Sequence, residues 1–157
     1  MKLARTGIIA AAMLAVATVA FAQKPDFSGT WAPEPSANAG GGGGGQRGGG
    51  GGPMVVKQTA DALTIERTMG ENKVTQTYKL DGTESENKMM GRGGAEMVTK
   101  STAKWDGAKL VITTKSAGPD GQERTQSQTW ALEGGNLTIE RPGRDGAVNK
   151  TVYKKTT

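Results

Sequence analysis

The 157-residue chain has no cysteine and no histidine. Without Cys there can be no disulfide, so cohesion must come from a packed core and from strand ladders. Without His the commonest metal ligand and the commonest general base are both missing, which excludes zinc sites and Ser-His-Asp catalysis. Aromatic residues are also few, at 4% of the chain. Long hydrophobic runs are absent after the first stretch, Ile8 to Val19, which is shorter than the roughly 20 residues a membrane span requires.

That first stretch reads as an export signal. Lys2 and Arg5 form a basic start, the apolar run follows, and Ala20-Phe21-Ala22 supplies small residues for cleavage. The domain division expected is therefore a signal peptide over 1–22 and a mature domain over 23–157, secreted or periplasmic. No Cys follows the apolar run, so a lipid anchor built on a thiol is excluded. Loss of Lys2 and Arg5 leaves eighteen basic residues against fifteen acidic, lowering the net charge from +5 to +3. The remaining charges alternate in sign, as in Lys73, Lys79, Glu84, Glu86, Lys88, Glu96 and Lys100, the pattern of solvated outer strand faces. This argues against a nucleic-acid footprint, which needs clustered positive charge.

What the chain does have is a phrase repeated three times. Leu63-Thr64-Ile65 returns to Tyr78, Leu110-Val111-Ile112 to Trp130, and Leu137-Thr138-Ile139 to Tyr153. Alternation with period two marks strands that bury one face, and the intervening glycines mark hairpins. Ten strands are predicted, at 26–31, 54–59, 62–68, 73–80, 83–90, 96–105, 109–115, 122–132, 136–141 and 147–154. Asp81-Gly82, Asp106-Gly107 and Gly134-Gly135 supply tight turns, and the alternate connections are longer. The fold class expected is all-β, an antiparallel up-and-down barrel of about 8–10 strands with tight turns at one end and long loops at the other. Residues 36–53, with glycine from Gly40 to Gly52 broken only by Gln46 and Arg47, are expected to form a flexible glycine-rich loop. Neither this tract nor Gly91-Arg92-Gly93-Gly94 carries enough Arg for an RNA-binding tract, and no Lys-Ser or Lys-Thr pair follows to make a phosphate loop.

Phasing the strands gives an apolar interior at the tight-turn end: Trp31, Leu63, Ile65, Tyr78, Leu80, Trp105, Leu110, Ile112, Trp130, Leu132, Leu137 and Ile139. Continued toward the long loops, the same phase passes through Arg67, Gln76, Thr99, Thr114, Arg124, Gln126, Arg141 and Asn149. Arg67, Arg124 and Arg141 can converge on a carboxylate or phosphate, because a guanidinium offers a fork of donors matched to planar anions. Equally, they can lie at strand ends and reach into water. Gln76, Gln126 and Gln128 read either as ligand donors or as groups satisfied by lumen water. The inward aromatics read as packing rather than a ligand cage, since a small barrel is largely filled by its own side chains. Glu84 and Glu86 share a face with Lys88, which fits an exterior rather than a catalytic carboxylate pair. Met89, Met90 and Met97 either form a soft lip at the mouth or end the core there. Asn136-Leu137-Thr138 and Asn149-Lys150-Thr151 match the glycosylation pattern but fall within strands. No catalytic residue, metal or cofactor is indicated, and the chain is not read as an enzyme.

Phe27-Ser28-Gly29-Thr30-Trp31 resembles the Gly-x-Trp signature on the first strand of lipocalins and fatty-acid-binding proteins, the calycin group. The similarity continues through Lys104-Trp105-Asp106-Gly107 and the terminal Val152-Tyr153-Lys154. It implies a calycin-like barrel, and the ten-strand count is closer to the fatty-acid-binding branch, which holds acyl chains inside. That branch places a helical pair between the first two strands, where this chain has its glycine tract. It also binds carboxylate with Arg-x-Tyr on the last strand; in Thr151-Val152-Tyr153, Tyr153 matches and the Arg does not. The expected function is binding of a small amphipathic or hydrophobic ligand by a monomer, with Arg67, Arg124, Arg141, Gln76, Gln126 and Tyr153 as candidate ligand residues. The alternative is a non-catalytic structural or interaction module whose barrel is filled and takes no ligand.

Overall fold

The computed structural model describes residues 24–35, 52–69, 72–90, 96–118, 121–143 and 146–156. The expected signal peptide and nearly all of the glycine tract lie outside the described residues. The described chain is all-β. Its strands are β1 (Gly29–Pro33), β2 (Met54–Gln58), β3 (Ala62–Met69), β4 (Asn72–Lys79), β5 (Glu84–Met90), β6 (Glu96–Asp106), β7 (Lys109–Ala117), β8 (Glu123–Glu133), β9 (Asn136–Pro142) and β10 (Val148–Thr156). They form one antiparallel sheet in the order β4-β3-β2-β1-β10-β9-β8-β7-β6-β5. The first and last strands pair, Thr30 opposite Thr156 and Pro33 opposite Tyr153, which curls the meander into a barrel.

The ring is nearly closed rather than closed. β4 and β5 are consecutive, joined by the Asp81-Gly82 turn, yet no backbone ladder links them. The inward side chains of β5 lie in the seam instead. Ser85 Oγ accepts from the Lys79 amide at 2.8 Å, and the Asn87 amide group accepts from Thr77 N at 2.7 Å and donates to Thr77 O at 3.0 Å. Both residues are buried, and these bonds satisfy polar groups that would otherwise be desolvated without a partner.

Alternation decides which residues fill the interior. Trp31, Leu63, Ile65, Tyr78, Leu80, Leu110, Ile112, Trp130, Leu137, Ile139 and Tyr153 are buried together with Met54, Val56 and Ala103, while Trp105 and Leu132 are half-buried against them. Leu63, Leu110, Ile112, Trp130, Leu137, Ile139 and Tyr153 are each 0% exposed, so the tight-turn half of the barrel is filled by its own side chains.

The first strand departs from its expected bounds. It runs Gly29–Pro33 rather than 26–31, because Lys24 to Ser28 crosses the tight-turn end as a plug. Gln58 holds it: its Oε1 accepts from Phe27 N and its Nε2 donates to Pro25 O, both at 3.0 Å. Trp31 Nε1 donates to Phe27 O at 2.9 Å. The Phe27 ring is fully buried, stacked on Trp105 at 5.9 Å and edge-on to Trp130 at 5.8 Å. The chain enters β1 through Gly29 at a φ of +146°, a conformation closed to most L-residues, and a Cβ there would also push the end of the Lys155 side chain aside.

Outer faces carry the alternating charges. Lys100 bridges Glu84 and Glu86 at 3.2 and 3.6 Å, which puts that carboxylate pair outside the barrel. Glu66 lies between Lys73 at 2.9 Å and Lys57 at 3.3 Å, and the hydrogen bond from Lys73, then that from Lys57, holds its carboxyl below its ordinary pKa. Such solvent-screened pairs add little to stability.

Candidate functional site

The site is a polar belt immediately above the apolar floor. Moving two residues toward the long-loop end from the last core residue of a strand keeps the inward phase, because strand side chains alternate faces. On β3 the step runs from Ile65 to Arg67, on β4 from Tyr78 to Gln76, and on β6 from Ala103 to Ser101. On β7 it runs from Ile112 to Thr114, on β8 from Trp130 to Gln128, on β9 from Ile139 to Arg141, and on β10 from Tyr153 to Thr151. Asn87 of β5 continues the belt, and Met54 of β2 interrupts it with a thioether. Among the described residues no Asp or Glu takes an inward position.

Arg67 is half-buried. Its Nη2 donates to Met54 Sδ at 3.4 Å, a weak acceptor, and its Nε is buried with no hydrogen-bond partner. Arg141 turns toward β8, where Nε and Nη2 both donate to Gln128 Oε1, at 3.2 and 3.1 Å. This contact lies where the β8–β9 ladder stops, at Thr129 opposite Glu140. Two guanidinium groups therefore face the same space as two tyrosines. Burial lowers the Arg141 pKa; Tyr153 opposes that effect and Arg67 adds to it. An Arg stays charged under such a shift. Burial pushes the Tyr78 hydroxyl up, while the charges of Arg67 and then Arg141 pull it back. Tyr153 is fully buried below Thr151.

The structure separates the candidates read from the sequence. Arg67, Arg141, Gln76 and Tyr153 converge on the barrel interior. Arg124 and Gln126 do not join them: both are exposed, because β8 beyond Thr129 is laddered to β7 alone and runs past the rim. Asn149, opposite Arg141 on β10, is exposed as well. Gln76 Nε2 reaches across the seam to Met89 Sδ at 3.4 Å. Ser101 and Thr114 share a hydrogen bond at 2.9 Å, and Thr99 donates to the Asn87 carbonyl at 3.2 Å. Asn87 and Ser101 had a signal in the sequence, since they alternate with the outward Glu86, Lys88, Lys100 and Thr102. The pairing of Arg67 with Met54 had none, because it depends on the β2–β3 register.

No protein-family model matches the sequence, and no curated protein matches it. Among solved structures the chain is similar to the REP1-NXSQ fatty acid transporter, with 16% identity and a TM-score of 0.55 over 83% of this chain and 96% of that one. It is also similar to a variant of the fluorescent protein UnaG, with 19% identity and a TM-score of 0.51 over 83% of this chain and 96% of that one. These likenesses define the class by fold alone: a ten-stranded, nearly closed antiparallel up-and-down β-barrel.

Proposed function

We propose that the barrel binds a small amphipathic molecule, with the ligand's anionic group held by Arg67 beside Arg141. The observation that carries this reading is the state of Arg67. Its guanidinium is partly withdrawn from water, bonded to a thioether and left with an orphaned Nε, in an interior lined by no described acid. A buried cation without an anion is costly, and an incoming carboxylate or phosphate would relieve that cost through charge-assisted bonds. The similarity of fold to the REP1-NXSQ fatty acid transporter supports the same reading. The filled floor sets the orientation: the head seats on the belt and the apolar part extends toward the mouth, past Val74 and Met89.

Calorimetric titration with dodecanoate tests this. Arg67→Gln is expected to weaken binding at least tenfold, about 1.4 kcal/mol, and equal affinity in the two proteins would overturn the assignment. A second reading, a structural module without a ligand, is favoured by the 0% exposure of the floor residues. It predicts no saturable heat with any single-chain amphiphile.

A further inference from the structure

The belt says more about the head group than its charge. A bare carboxylate needs one or two guanidinium groups, but here the guanidiniums belong to a ring of hydroxyls and amides that nearly encircles the lumen. Ser101 and Thr114 bond to each other, yet each hydroxyl has one donor and two acceptor sites, so capacity remains on both. A hydrocarbon chain lying across these groups would strip their water and return no hydrogen bond. It cannot pass below them either, since Leu110, Ile112, Trp130, Leu137 and Ile139 leave no exposed surface. The group that fits at this level is therefore itself rich in oxygen. Arg67 on β3, opposite Met54, and Arg141, bonded to Gln128, both take inward positions; the Arg67 charge reaches Arg141, and among the described residues no acid takes an inward position between them. Phosphate oxygens, tetrahedrally arranged, can accept from two guanidiniums that approach from different strands.

Resting on the ligand reading above, we infer that the head group seated on the belt is a phosphate ester of a polyol, whether carried by a lipid or free. Its phosphate takes Arg67 and Arg141, and its hydroxyls take Gln76 and Thr114, which Ser101 supports from behind through their shared hydrogen bond.

Calorimetry with three probes tests this: dodecyl phosphoglycerol, dodecanoate of the same chain length, and glycerol 1-phosphate with no chain. Dodecyl phosphoglycerol is expected to bind at least tenfold more tightly than dodecanoate. The paired substitution Ser101→Ala with Thr114→Val should shrink that ratio below threefold. Glycerol 1-phosphate binding more tightly than dodecanoate would assign the free ester as the source, and weaker binding the lipid. If dodecanoate equals or exceeds dodecyl phosphoglycerol and still depends on Arg67, the inference falls and the ligand reading stands. If none of the three binds, both fall. The three titrations on the unaltered protein decide the head-group class, and dodecanoate titration of Arg67→Gln decides whether the ligand reading survives it.

Discussion

Asn87 stands in for a piece of backbone. A side-chain amide presents one acceptor and one donor with nearly the geometry of a peptide group, and here it takes both the N–H and the C=O of Thr77. An apolar residue of the same size would leave two partly buried backbone groups unmet, each costing roughly 1–3 kcal/mol. Asn87→Leu is therefore expected to destabilise the protein by about 2–4 kcal/mol in urea unfolding, whereas Lys88→Leu on the outer face should change it by less than about 0.5 kcal/mol. Equal effects at the two positions would refute the role given to Asn87. Arg67 shows the opposite condition, a guanidinium whose Nε is buried and left without a hydrogen-bond partner. Trp130 Nε1 is the other buried side-chain atom without a hydrogen-bond partner among the described residues. It lies in the filled floor, where no oxygen of a ligand can reach it.

Among the elements, the plug of Lys24 to Ser28 and the seam between β4 and β5 mark where sequence reading reached and where it stopped. Strand positions were legible because Leu-x-Ile phases and glycine turns are local signals, and nine of the ten strands fall within two residues of expectation. The plug was not legible, since Asp26-Phe27-Ser28 leads into a strand with the right composition and only the distant Gln58 diverts it. The seam was hidden for a similar reason: Asp81-Gly82 is a sound hairpin turn, and nothing nearby shows that Ser85 and Asn87 will replace the ladder. In the site, phase alone brought Arg67, Gln76 and Arg141 inward. Phase also turned Arg124 and Gln126 inward, but it cannot tell where a strand outruns its neighbour. The plug has a measurable weight. Phe27→Ala empties a fully buried ring site and is expected to cost about 3–5 kcal/mol. It should also shift tryptophan emission to the red, because Trp105 and Trp130 both lose a ring neighbour. Unchanged emission and stability would show that the segment does not seal the end.

At the scale of the molecule, the barrel has two places where its sheet is joined unusually. One is the seam, where neighbours in sequence have no ladder. The other is the pairing of β1 with β10, which brings together residues as distant as Thr30 and Thr156. The two lie apart in the sheet order, and that separation bears on how the chain folds. Closing β1 onto β10 encloses almost the whole domain in one loop, and pairings so distant in sequence slow folding. A circular permutant with Thr156 linked to Lys24 and cut between Asp81 and Gly82 would begin at β5 and end at β4. Every ladder in the sheet would then join strands adjacent in the new chain, and the new ends would fall where there is no ladder to lose. Such a permutant is expected to refold several-fold faster in stopped-flow measurements. Slower refolding would mean that β1–β10 closure does not limit the rate. In nautical terms the barrel is a hull whose planks follow in order from one side of a single open joint to the other, and the natural chain happens to start amidships.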